Sequence, residues 1–155
     1  PRIERRLRII PYHLEMPDSP SIPDGASAVV FYDGECGLCE RCVAWCLTRD
    51  RHRHLRFAPL QGTTFASLKA IKKPIDLSTM VVWDAGGLHQ ESDATLALLK
   101  GVGGHWRRLA SIGRVVPRSL RNIVYRFIAK RRYGWFGAAD ACRLPSKDDA
   151  ARFLP

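Results

Sequence analysis

The sequence predicts an α/β domain in which a mixed β-sheet is covered by helices, with a helical extension toward the C-terminus. Three observations carry that reading. Short apolar runs alternate with segments at helical spacing, and a Cys-x-x-Cys directly follows the first apolar run. At 155 residues the chain is also long enough to bury one hydrophobic core without a disulfide framework.

Residues 1–27 hold five prolines and Asp24-Gly25, which marks an irregular N-terminal arm ahead of a domain spanning 28–155. Ala28 to Tyr32 is a continuous apolar run and reads as the first strand, closed by the turn Asp33-Gly34. Cys39, Val43, Cys46 and Leu47 then recur at helical spacing, predicting a helix over about 38–48 that turns its sulfurs and Val43 to the sheet. Leu55 to Ala58 alternates as a second strand stopped by Pro59. Thr63 or Thr64 caps a short helix carrying Phe65, Leu68 and Ile71. Thr79 to Trp83 is a third strand, and Asp84-Ala85-Gly86-Gly87 turns it into a hairpin with Leu88 to Glu91. Ser92 is expected to cap a helix bearing Leu96 and Leu99 that Gly101 ends. The order strand, helix, strand, helix, strand, strand, helix resembles that of the thioredoxin fold. A parallel pair, a crossover helix and an antiparallel hairpin would share one sheet.

Two further helices, about His105 to Arg114 and Pro117 to Arg131, predict a basic helical hairpin over about 105–132. In the second, Leu120, Ile123, Val124, Phe127 and Ile128 form an apolar stripe, with Pro117 suited to the first helical position. Packing of that stripe on the domain is the favoured reading, which leaves the charges as a solvated face. The alternative is a binding module whose hairpin lies on an anionic membrane or nucleic acid. The tail from Tyr133 reads as loop, with Trp135 and Phe136 as core plugs and a last helix near Ser146 to Phe153.

The formal charge of +10 is localised: 101–139 holds nine Arg or Lys and no Asp or Glu. No apolar run approaches the roughly 20 residues of a membrane span, and the basic, proline-bearing start lacks the apolar core of a signal peptide. Five cysteines, an odd number with four crowded into 36–46, do not fit a secreted disulfide scaffold, so a reducing cytoplasm is expected.

Several longer elements point the same way: Phe31-Tyr32-Asp33-Gly34-Glu35-Cys36-Gly37-Leu38-Cys39, Ser92-Asp93-Ala94, Val116-Pro117, Arg132-Tyr133-Gly134-Trp135-Phe136-Gly137, and Asp140-Ala141-Cys142-Arg143-Leu144-Pro145. Together they resemble the DCC family of predicted thiol-disulfide oxidoreductases over about 29–154. The resemblance implies a thioredoxin-like fold and dithiol chemistry that requires no cofactor, on a protein or small thiol or disulfide substrate. By chemistry and by resemblance, Cys36 is the attacking thiolate and Cys39 the resolving thiol, with Asp33 and Cys142 as auxiliary candidates.

A sulfur at the start of a helix gains from unpaired backbone N–H groups and the positive helix end. Against that, Asp33 and Glu35 bring negative charge, Gly37-Leu38 supplies no cation, and no proline stands just before the third strand, where thioredoxins carry one. A modestly lowered pKa and a reducing potential are therefore expected. Cys36, Cys39, Cys42 and Cys46 also space as C-x2-C-x2-C-x3-C, the run of an iron-sulfur site, and zinc with His52 or His54 is a further alternative. Leu47 after the run and the helical spacing favour the dithiol, with Cys42 and Cys46 as small apolar residues on a helix face and the histidines solvated. Cys142 beside Arg143 is either a third redox thiol or structural. No specific nucleic acid is expected.

Overall fold

The structure, a computed structural model, describes residues 22–68, 79–139 and 146–155. Strand β1 (Ala28–Tyr32) leads through a tight turn to helix α1 (Gly37–Arg49), followed by β2 (Leu55–Pro59), α2 (Thr63–Ser67), β3 (Val81–Asp84) and β4 (Gly87–Gln90). Helices α3 (Glu91–Val102), α4 (Gly104–Gly113) and α5 (Arg118–Phe136) complete the chain, apart from one 3-10 turn at Ala150–Arg152.

The sheet order is β2-β1-β3-β4, with β1 parallel to β2 and antiparallel to β3. This is the mixed, helix-covered sheet of a thioredoxin-like fold. Alternation along β1 sends Val30 to a core shared with Val43, Cys46, Phe57 and Leu98, while Val29 and Phe31 enter a second core with Phe65, Leu68 and Trp83. Both faces of β1 are therefore sealed. Pro59 is tolerated because β2 is an edge strand, and the C-terminus covers that edge: the Leu154 N–H donates to the Phe57 carbonyl at 2.8 Å.

Several element ends differ from expectation. The α3 N-cap is Gln90, and Ser92 lies inside the helix with its hydroxyl hydrogen-bonded to Asn122. Gly101 does not end α3; a Cβ there would come within 2.7 Å of the Leu55 side chain, so this glycine is needed for close packing rather than termination. Helix α5 runs on through Gly134 to Phe136, and Gly137 at φ 70° stops it, its N–H donating to the Tyr133 carbonyl at 2.9 Å. Pro117 is the N-cap of α5 rather than its first residue. The expected last helix shrinks to the 3-10 turn, whose Arg152 is drawn inward to Asp50 at 2.5 Å. Ile71, expected on the short helix, lies outside the described residues.

The largest correction concerns the C-terminal helices. They pack on α3 more than on each other, and most of the α5 stripe faces away from the domain, only Ile128 reaching the cavity beside α1 and α3. Ile123 is 65% and Phe127 49% exposed. The inward face of α5 is instead polar: Arg121 reaches Asp93 at 2.9 Å, Asn122 meets Ser92, and Tyr125 and Arg132 point toward the sheet end. Trp135 is likewise exposed, against its reading as a core plug.

Candidate functional site

The turn after β1 places Cys36 as the N-cap of α1, in extended backbone geometry, with Cys39 one turn further along. The Cys36 side chain makes no capping hydrogen bond, and the positive end of the helix dipole lies beside it. Cys39 donates a hydrogen bond to Cys36, bringing the two sulfurs together. Burial, the neighbouring charge of Cys36 and that hydrogen bond push Cys39 up to about 12. Cys39 is thus a proton-holding thiol.

A strap covers this cysteine. After Gly137 reverses the chain, Ala138 bridges to Cys36, the Gly37 N–H donates to the Gly137 carbonyl at 3.2 Å, and the Ala139 N–H donates to the Glu35 carbonyl at 3.0 Å. Cys36 is 0% exposed beneath it. The close approach requires glycine at 37, since a Cβ there would lie 2.5 Å from the Phe136 carbonyl oxygen.

Asp33 organises the surroundings. One carboxylate oxygen accepts from the Glu35 N–H at 3.0 Å; the other accepts from Arg132 at 2.8 Å and from the Tyr133 hydroxyl at 2.5 Å. Arg132 and Asp33 are both buried, so each is costly without the other. Burial opposes the Arg132 charge, but its hydrogen bond with Tyr133 and its attraction to Cys36 and Cys39 outweigh this and hold the guanidinium above its ordinary value. The cation that the sequence near the cysteines lacks is supplied by α5.

Behind the pair lies a cavity of about 230 Å³ between α1, α3, α5 and the sheet. Cys39, Cys42 and Cys46 line it together with Leu38, Met80 and Tyr125, while Cys36 does not. The Tyr125 hydroxyl accepts from the Met80 N–H at 3.0 Å at the entry to β3, and burial raises its pKa. Cys46 donates a hydrogen bond to Cys42, which lowers Cys42 and, with burial, raises Cys46. The four sulfurs are free thiols strung along one helix, and among the described residues no three His, Cys, Asp or Glu side chains converge as a metal-holding set. His52 and His54 are exposed and stack on each other 5.4 Å apart. Cys142 lies outside the described residues.

The profile of the DCC1-like thiol-disulfide oxidoreductases matches residues 30–138, which takes in the cysteine turn, Arg132 and most of the strap. The chain belongs to that family. Among its relatives, the uncharacterized protein YuxK of Bacillus subtilis is 37% identical over 129 residues, 82% of this chain and 93% of YuxK. A DCC family protein of Arabidopsis thaliana, described as chloroplastic, is 30% identical over 118 residues, 75% of this chain and 69% of the plant protein. No solved structure matches significantly. In this DCC1-like chain the separate sequence elements converge: Asp33 meets Arg132 and Tyr133, Gly37 meets Phe136 and Gly137, and Ser92-Asp93 holds α5 through Asn122 and Arg121. Sequence reasoning missed Arg132 and the strap as parts of the site. The only signal was their place in the Arg132 to Gly137 element.

Proposed function

We propose that Cys36 and Cys39 form the redox-active pair of a thiol-disulfide oxidoreductase, with Cys36 as nucleophile and Cys39 as resolving thiol. The observation that carries this reading is the placement of Cys36 at the N-cap of α1 with Cys39 one turn further along, beside the Arg132–Asp33 pair. In the reduced protein the Cys36 thiolate attacks one sulfur of a substrate disulfide, whose S–S bond breaks and whose other half leaves as a thiolate that takes a proton from water. Formation of the mixed disulfide removes the charge on Cys36. Two of the causes that hold the proton on Cys39 vanish with it, while Arg132 and the Asp33 backbone N–H continue to favour a thiolate there. Cys39 then loses its proton to solvent, attacks the Cys36 sulfur, and releases the second substrate thiolate. Two electrons have moved to the substrate and a Cys36–Cys39 disulfide remains.

The strap must open for this to occur, because no substrate sulfur reaches a fully buried Cys36. The apolar cavity beside Cys39 suits an apolar group next to the substrate disulfide. Asp33 acts as a positioning residue that holds Arg132.

The test is a titration against thiol-disulfide redox buffers, read by intact mass after alkylation, beside Cys36→Ser and Cys39→Ser. A reversible two-electron couple lost in both variants is expected, at a potential nearer the about −270 mV of reductants than the about −120 mV of strong oxidants. A couple that survives in Cys36→Ser overturns the assignment.

A further inference from the structure

All of the large hydrophobic side chains exposed among the described residues lie between Leu109 and Trp135. They sit on α4, on the turn after it, and on α5, where Leu120, Ile123, Val124, Phe127 and Trp135 share one side of the helix at about 100° per residue. Tyr125 and Arg132, which anchor the helix to the domain, stand about 120–140° round the helix from the centre of that side. Helix α5 therefore turns its apolar arc directly to solvent and its hydrogen-bonding arc inward, the reverse of a helix that packs by burial.

The charges sort in the same way. Arg118, Arg121 and Arg126 are held by Asp93 and Glu91 of α3, and Arg132 by Asp33. Arg107, Arg108, Arg114, Lys130 and Arg131 remain exposed, with no ion-pair partner among the described residues. Arg131 lies over the Phe127 ring at 3.9 Å, within the apolar arc itself. An apolar strip with long cationic side chains at its centre and margins matches a surface that is hydrocarbon below and negatively charged above.

We propose that the outward face of α5, with α4 beside it, docks this protein on an anionic lipid bilayer. The apolar arc enters the headgroup boundary and the free cations meet lipid phosphates. No described helix is long and apolar enough to cross a membrane, so the helices lie in the interface plane. Charge decides between this occupant and others. A second copy seated face to face would set like cations against one another. The segment 1–21 carries Arg2, Arg5, Arg6 and Arg8 against only Glu4, Glu15 and Asp18, so it brings no surplus of acid to meet them. A nucleic acid would meet the charges but not the apolar strip. The proposal is independent of the dithiol reading.

The experiment is co-sedimentation of the full chain with vesicles of phosphatidylcholine alone and of phosphatidylcholine mixed with phosphatidylglycerol. Binding to the mixed vesicles is expected. It should weaken strongly as salt shortens the screening length from about 10 Å at 0.1 M to about 3 Å at 1 M. A blue shift of Trp emission that is lost in Trp135→Phe is also expected. Lys130→Glu/Arg131→Glu and, separately, Phe127→Asp should each weaken binding at least about tenfold. Circular dichroism of these surface variants should remain that of the parent. Absence of binding, equal binding to phosphatidylcholine alone, or unchanged binding by Phe127→Asp overturns the proposal. So does a dimer that Phe127→Asp dissociates, or equally tight capture by a DNA duplex.

Discussion

Replacement of Gly37 by alanine tests whether the strap controls access to Cys36. The new Cβ would stand 2.5 Å from the Phe136 carbonyl oxygen, 3.1 Å from that of Gly137 and 3.3 Å from that of Ala138. Backbone oxygens cannot rotate away as a side chain can, and alanine is favoured over glycine in the helix by up to about 1 kcal/mol. The strap is therefore the partner that moves. Its two hydrogen bonds to the cysteine turn, Gly37 to Gly137 and Ala139 to Glu35, contribute about 0.5–1.5 kcal/mol each. Their joint loss of about 1–3 kcal/mol corresponds to a 5- to 150-fold rise in the open population. Alkylation of Cys36 by iodoacetamide, followed by peptide mass, should accelerate within that range in Gly37→Ala. Gly34→Ala, where a Cβ meets nothing within 4 Å, should leave the rate unchanged. An unchanged or slower Cys36 rate in folded Gly37→Ala would refute the strap as the barrier.

Four further outcomes follow from the same geometry. Arg132→Met should destabilise the fold by about 3–5 kcal/mol in urea melts because it strands buried Asp33, and a loss under 1 kcal/mol would contradict that. Cys36→Ser removes the charge that helps hold the Cys39 proton while burial remains, so Cys39 should titrate below about 12 when followed by thiolate absorbance; an unmoved titration argues against the pairing. Tyr125→Phe leaves the Met80 N–H without its acceptor and should cost about 1–3 kcal/mol in the same melts. The double variant Cys42→Ala/Cys46→Ala should keep the two-electron couple, and its disappearance would assign those thiols a redox role.

Strands were legible because β1, β2 and β3 are short apolar runs bounded by turn residues, and the sheet order follows from right-handed crossover and hairpin rules. The cysteine turn was legible for the same reason: a strand, Asp33-Gly34 and a helix leave few places for Cys36. Helix ends were less so. Gly101 read as a breaker and the chain from Tyr133 as loop, yet Gly101 and Gly134 are both helical, one to admit Leu55 and one at a cost of about 1 kcal/mol that the rest of α5 absorbs. Periodicity showed that α5 has an apolar arc but carries no information about which arc turns inward. Here Asn122, Arg121 and Arg132 decided it, through partners on α3 and at Asp33. The cation beside the thiols was invisible to local reading, since Arg132 stands 99 residues from Asp33.

That same separation has a consequence for a chain made from its N-terminus onward. The cysteine helix and its turn are made before α5, so for the 99 residues between them Asp33 has no Arg132 and Cys36 has no cover. Only the making of α5 and the strap turns an open thiol into a shielded one. Chains ended before α5 would therefore display the sulfur that the strap withholds, and docking of α5 serves as the assembly step after which Cys36 is no longer freely available.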